Sequence, residues 1–344
     1  MKTPCYVIVS EILKSNLEQM KKRMAPCNIF YSMKSNPTNV VASVLSEMDC
    51  GFEVSSLAEA QILNNLQVGE KRIYCGLPVL TNEQVMIFLE FGCKRFVYDT
   101  IRQMKRLVCF APNTQKVLRL TVDDLSPGAI GFGVSIAELE ANPELLTEAD
   151  GMSFHISNHS EINQTLLALD RVEQLMITTP KIRLLNIGGS YTLTGQEEDY
   201  ESLRLRLYAL MRQHNLTLMC ELGSAIVNTA GNVLTRCVMV RDRGGFTDVF
   251  LDAGVPAGVM RSPKKLYNLS QPNPLHRHFY RFFDTTSMRQ LLFQMHIKQN
   301  ISEGDLLKLT DYGAYSFCYS NRFHSQPMPE IFLFQEEQEF EKLV

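Results

Sequence analysis

The sequence has no stretch approaching about 18 uninterrupted apolar residues, so it offers no helix able to cross a bilayer. Its opening run, "MKTPCYVIVS", is broken by Glu11 and Lys14 before it could form the core of a signal peptide. It also lacks a basic excess. The 34 Lys and Arg against 37 Asp and Glu give a net charge of −3, which leaves no positive field to gather a nucleic-acid polymer or an anionic membrane. Its nine cysteines include no C-x-x-C pair and are odd in number, which argues against a metal knuckle and fits reduced thiols in a cytoplasm. No repeat of fixed period and no low-complexity tract is present, apart from an acidic tail, "EEQEFEKLV", that reads as a solvated end. What remains is an ordinary globular composition, 45% hydrophobic and 21% charged over 344 residues. That length suits one large domain with a smaller one, or two ordinary ones.

Short β-rich runs alternate with helical stretches from residue 27 to about 230. "NIFYSM", "CGFEVSS", "RIYCGL", "RFVYD", "KVLRLTV", "GMSFHIS", "IRLLNIGG" and "LTLMCELGS" each read as a strand, and all but one precede a convincing helical pattern. Alternation of this kind predicts a parallel sheet, and eight strands is the number that closes a β/α barrel. After Gly231 the texture changes to alternating or apolar runs joined by turns, "NVLTRCVMVRDR", "FTDVFLDAG", "ISEGDLLKLTDYGAYS" and "EIFLFQ", which predict a mostly antiparallel β domain. The proline-rich, basic stretch "RSPKKLYNLSQPNPLHRH" reads as a long connection.

Chemistry in such a barrel lies at the carboxyl ends of the strands. "YSMKSNP" places Lys34 there, and polar or glycine-rich strand ends recur at "FHISNHS", "NIGGSY" and "CELGS", with "DYGAYS" in the second domain. Together they supply an amine, an imidazole, approachable backbone amides, a carboxylate and a phenol.

The series Y-x-x-K-x-N-P, S-F-H-I, I-G-G, E-x-G and G-A-Y, in this order over nearly the whole chain, resembles the fold-type III pyridoxal-phosphate-dependent decarboxylases, the ornithine and diaminopimelate decarboxylase family. The resemblance implies an N-terminal strand (1–12) that joins a C-terminal β domain (232–344), both flanking a cofactor-binding barrel (13–231), and assembly as homodimers with active sites at the interface. It implies that Lys34 holds pyridoxal 5'-phosphate as a Schiff base, that Glu221 faces the ring nitrogen, and that His155 stacks on the ring. Gly188, Gly189, Ser160, Gly223 and Tyr315 would meet the phosphate. Arg119 matches an arginine at the barrel mouth, and Glu53, Ser56 and Glu59 resemble the D-x-x-S-x-x-E of the family. A carboxylate at 221 speaks against an amino-acid racemase, where a cation would stand.

Three departures bear on the substrate. Ser224 stands where the family has an arginine on the phosphate. Ser287, in "DTTSM", stands where the family has a cysteine that protonates Cα after carbon dioxide leaves, and a hydroxyl is a far poorer acid than a thiol. Met288 replaces the acidic residue that reads a distal ammonium, while Arg261, Lys264 and Lys265 could face a distal carboxylate or phosphate. The expectation is a decarboxylase acting on an amino-acid group within a larger, small-molecule or nucleotide-linked metabolite. One candidate is the aminocarboxypropyl group of microcin C-like peptide-nucleotide antibiotics. The alternative is a catalytically impaired, decarboxylase-like binding protein.

Overall fold

The computed structural model describes residues 1–121, 131–156, 162–271, 277–288 and 290–336. Ser160 and the acidic tail from 337 onward lie outside the described residues. The chain divides into two compact units, one of residues 16–34 and 45–225, the other of residues 1–15, 35–44 and 226–344.

The first unit is a closed parallel barrel. Its strands are β2 (Asn28–Ser32), β3 (Gly51–Val54), β4 (Ile73–Cys75), β5 (Arg95–Tyr98), β6 (Gln115–Arg119), β7 (Gly151–Ser153), β8 (Leu184–Asn186) and β9 (Thr217–Leu222), each paired with the next and β9 with β2. Seven fall within the runs expected from the sequence, and β6 begins one residue before its run, at Gln115. Every strand of a barrel is covered on both faces, so its strands are near-continuous apolar runs and not alternating ones. Phe30, Tyr74, Val97, Val117, Leu184 and Met219, from six of the strands, pack as one buried cluster.

The intervening helices begin on explicit signals. Chain order gives α1 (Ser10–Arg23), α2 (Asn39–Ser46), α3 (Leu57–Asn65), α4 (Asn82–Glu90), α5 (Ile101–Phe110), α6 (Ile136–Ala141), α7 (Ile162–Thr178), α8 (Glu197–His214) and α9 (Ser224–Val227). Ser56, Thr81, Thr100 and Ser135 each accept a backbone N–H at the start of α3, α4, α5 and α6, satisfying donors that a helix leaves open. The weak helical pattern after "KVLRLTV" corresponds to α6, only six residues long. No helix among the described residues is long and apolar enough to cross a membrane.

The second unit is a mixed, mainly antiparallel sheet of β1 (Cys5–Val9), β10 (Gly231–Asp242), β11 (Thr247–Leu251), β12 (Leu266–Asn268), β13 (His278–Asp284), β14 (Leu291–Ile297), β15 (Leu306–Thr310) and β16 (Glu330–Phe334). The N-terminal strand joins it as the resemblance implied. β1 runs antiparallel to β10 and parallel to β16, and all five of its residues are buried, Tyr6 in one apolar cluster and Cys5, Val7 and Val9 in another. The long connection of 261–278 needs one correction. Leu266–Asn268 within it forms β12 and pairs with β15, because Leu266 and Asn268 are buried while Tyr267 between them is exposed, an alternation too short to stand out among prolines.

Candidate active site

Lys34 lies two residues beyond β2, in a tight turn spanning Met33–Ser35 and not on the strand itself. Its Nζ is 3.7 Å from Glu53 Oε2, and its side chain keeps 47% exposure while that of Glu53 has 2%. Glu53 is held from both sides: Ser32 Oγ donates to Oε2, and Ser55 Oγ donates to Oε1 at 2.8 Å. The register places Ser32 directly beside Glu53 on neighbouring strands, so the pairing follows from barrel geometry.

Glu59, in the first turn of α3, accepts the Ser55 N–H at 2.6 Å, while its own N–H donates to Ser56. Burial pushes its carboxyl up to about 7; the Ser55 N–H opposes the shift and the Glu53 charge adds to it. Ser56 is thus a helix cap in this structure.

Glu221, on β9, is buried and accepts a hydrogen bond from Asn186 Nδ2 at 2.6 Å. Its carboxyl is raised above the ordinary range by burial first and then by Glu53, against the pull of Lys34, Arg119 and the Asn186 amide. Lys34, Glu53, Arg119 and Glu221 therefore act on one another within one space at the carboxyl ends of the strands. Arg119 closes β6, and its Nε is buried with no hydrogen-bond partner among the described residues.

His155 follows β7 by two residues and is held by its edge. Gly189 N–H donates to its Nδ1 at 3.1 Å, which leaves the neutral ring's proton on Nε2, 3.3 Å from Ser190 Oγ. Both glycines are dictated by close approach. A Cβ on Gly188, where φ is +69°, would fall 2.5 Å from Phe154 O, and one on Gly189 would fall 2.2 Å from Glu221 O. Their N–H groups differ from the expectation of free phosphate donors: Gly188 donates to Asn186 Oδ1 at 3.0 Å and Gly189 to His155. Gly223 leads into α9, and Ser224, its first residue, is exposed.

The remaining expected residues belong to the β unit. Tyr315 has φ of +49°, is 40% exposed, and donates its N–H to Ser35 O at 2.8 Å, while Asn36 Nδ2 donates to Gly313 O at 2.8 Å. The "GAY" segment thereby fixes the two residues that follow Lys34. Arg261 does not present a free guanidinium. Its Nη2 donates to Asn228 Oδ1 at 2.9 Å and to Asp311 O, and the group lies 4.8 Å over the Tyr312 ring. Lys264 and Lys265 are exposed, and Met288 is 51% exposed. Ser287 Oγ lies 2.7 Å from His324 Nε2.

Sequence reasoning missed Asn186, Ser190, Ser32 and Ser55. Asn186 and Ser190 flank the I-G-G motif in "LNIGGSY", so proximity to that motif was the available signal. A cavity of about 460 Å³ lies at the opposite, amino-terminal end of the strands, lined by Lys21, Asn28, Gly51, Arg72, Arg95 and Thr217 among others. Three of its four cations are already engaged: Arg72 donates to Ser46 O and Cys50 O, Arg95 to Lys71 O, and Lys21 to Met48 O. Groups at that end of a barrel serve stability.

The carboxyl-end donor set suits a pyridine aldehyde phosphate. It combines a primary amine, a buried acid in the same field, an edge-held imidazole and a buried guanidinium nitrogen awaiting an acceptor. Comparison with known proteins agrees. The chain is 23% identical over 372 residues to the lysine/ornithine decarboxylase of Selenomonas ruminantium, covering 98% of this chain and 91% of that protein. It is 22% identical to the diaminopimelate decarboxylase of Aquifex aeolicus, covering 94% and 85%. Its fold matches the crystal structure of the arginine decarboxylase of Paramecium bursaria Chlorella virus with a TM-score of 0.86, at 18% identity and 97% coverage of both chains. Residues 10–228 match the family described as pyridoxal-dependent decarboxylase, pyridoxal binding domain, and the chain belongs to that family.

Proposed function

We propose that this chain is a pyridoxal-phosphate-dependent carboxy-lyase that removes the α-carboxylate of an amino acid or of an amino-acid group on a larger metabolite. The observation that carries the reading is the shared field of Lys34 and Glu221, an amine and a buried carboxylate acting on each other at the carboxyl end of one barrel. When bound, the cofactor supplies an electron sink for the charge left at Cα. Lys34 would tether it through its amine, and Glu53 at 3.7 Å would hold that amine in place. Glu221 would keep the ring nitrogen protonated, since a buried carboxylate gains most from a cation opposite it. The edge contacts of His155 orient its imidazole for stacking. Arg119 Nε, Ser190 and Ser224 are the candidate donors to an anion in place of the missing arginine.

For the substrate, Met288 offers no charge to a distal ammonium, which supports an atypical or anionic remainder such as an aminocarboxypropyl group on a phosphate. With Arg261 engaged internally, recognition of that anion falls to Lys264 and Lys265. The active form would be a pair of chains. Nine free cysteines, seven of them buried, suit a reducing compartment.

The test is release of carbon dioxide from a panel of diamine precursors, diaminopimelate and aminocarboxypropyl phosphates by protein reconstituted with pyridoxal phosphate. Turnover of one class that disappears in Lys34→Ala supports the reading. Failure to bind the cofactor, or binding without release from any member, points to the impaired binding protein instead.

A further inference from the structure

We propose that the cavity at the amino-terminal end of the barrel strands is a binding site for a small molecule bearing a diphosphate or triphosphate group, held by Lys71, Arg72 and Arg95. The proposal stands apart from the decarboxylase reading, because it concerns the end of the barrel opposite Lys34 and needs no cofactor. The cavity measures about 460 Å³, within the range of small-ligand sites, and all of its lining residues belong to the barrel unit. Lys21, Lys71, Arg72 and Arg95 bring four positive charges to it, and among the described residues Asp49 is the only acid in its lining, which leaves an excess of three. A concave surface of one sign focuses its field and gathers counter-ions.

The fold brings these cations together from separate elements. Lys71 and Arg72 lie in the tight turn of Glu70–Arg72 that leads into β4, Arg95 opens β5, and Lys21 is in the last turn of α1. Groups at this end of a barrel ordinarily serve stability, and the bonds of the two arginines to their surroundings do so. Arg72 donates from Nε to Cys50 O at 2.9 Å and from Nη2 to Ser46 O at 2.8 Å and Cys50 O at 2.7 Å, and it lies 5.9 Å from the Phe52 ring centre. Arg95 donates from Nε to Gln115 Oε1 and from Nη1 to Lys71 O, each at 2.7 Å, and lies 5.6 Å from the ring centre of Phe30. Every one of these partners is neutral. They aim each guanidinium without cancelling its charge, and the N–H groups of Arg72 Nη1 and Arg95 Nη2 have no hydrogen-bond acceptor among the described residues.

Other partly buried arginines of this chain meet carboxylates: Arg206 pairs with Asp170 and Glu173, and Arg243 and Arg281 both pair with Asp248. Among the described residues, Lys71, Arg72 and Arg95 form no ion pair, and the partner of Lys21 is the half-exposed Glu18. Burial holds the Arg95 guanidinium below its ordinary value, opposed only by Cys93 and Tyr74. Burial also keeps that thiol and that phenol protonated at neutral pH, so neither supplies a counter-charge. A desolvated cation without a counter-ion is costly, and a bound anion removes the cost. Arginine forks match phosphate oxygens in pairs, and a terminal phosphate carries about −1.5 to −2 at pH 7, so an excess of three positive charges calls for more than one phosphate.

The test is calorimetric titration of the full chain with inorganic pyrophosphate, tripolyphosphate and ATP in magnesium-free buffer, with and without pyridoxal phosphate present. One equivalent should bind in both conditions, and added salt should weaken it. Lys71→Gln, on an exposed side chain that the fold does not need, should raise the Kd about 10-fold, and the Lys21→Gln/Lys71→Gln double variant should raise it further. Lys105→Gln, which removes an equal charge from an exposed pair with Glu144 on α5, should leave the Kd unchanged. Equal affinity for tripolyphosphate and ATP assigns the site to the phosphates alone, and tighter binding of ATP assigns it to a nucleotide; either supports the proposal. Three results overturn it: no binding of any of the three probes at millimolar concentration, binding that pyridoxal phosphate abolishes and Lys71→Gln leaves intact, or equal weakening by Lys71→Gln and Lys105→Gln, which is the mark of diffuse surface charge.

Discussion

Glu221 is held between opposing influences. Burial and the Glu53 charge favour its neutral form, and Lys34, Arg119 and Asn186 favour the carboxylate. Such a group binds a ring cation strongly only while its cationic neighbours and the Asn186 bond remain. Asn186→Ala would leave Glu221 Oε1 and the Gly188 N–H without that partner, each buried, and is expected to destabilise the barrel by ~1–3 kcal/mol, read as a lower denaturant midpoint. Glu221→Gln keeps the size and the Asn186 contact but loses the charge; activity should fall ~10²-fold or more, with the cofactor still bound. Glu59 carries the clearest pH signature. Its folded carboxyl titrates near 7, above the ordinary value of 4.5, so the native state holds its proton more tightly than the unfolded chain. Stability from this group is complete below about pH 4.5 and is lost as pH rises through 7. In cofactor-free protein, Glu59→Gln should flatten that decline and raise the melting temperature at pH 8.

Elements position these groups through their ends. β8 carries Asn186 as its last residue, and the two glycines after it let the chain pass within contact of β9 and of the segment after β7. Gly189→Ala would drive a methyl to 2.2 Å from Glu221 O, so the backbone carrying Glu221 must move. The expected outcome is loss of cofactor binding, seen as a colourless protein after reconstitution, with helical circular dichroism retained. Far from the site, Thr81 and Gln84 form a reciprocal cap on α4. Thr81→Ala should lower stability by about 1 kcal/mol and leave activity unchanged, which separates local helix energetics from the chemistry.

At the scale of the whole molecule, the chain returns to build its second sheet. β1 is the filler between β10 and β16, and its residues face apolar clusters on both sides. A charge there would be buried with no partner. Val7→Asp is expected to abolish folding of the β unit, checked by loss of cooperative unfolding and by rapid proteolysis of residues 226–344.

Local pattern was enough for the barrel because each strand is a short apolar run followed by a capped helix, and those signals lie within a few residues of one another. Lys34, His155, the glycines and Glu221 were legible for the same reason: they sit just past or near the ends of such runs, in motifs with fixed spacing. Other features depend on residues distant in the chain. The bond from Asn186 to Glu221 spans β8 to β9, Arg261 is occupied by acceptors at 228 and 311, and Ser287 meets His324 across 37 residues. Hydrogen bonds between groups so far apart leave no periodicity behind them, and they appear only when the folded backbone brings donor and acceptor within 3 Å.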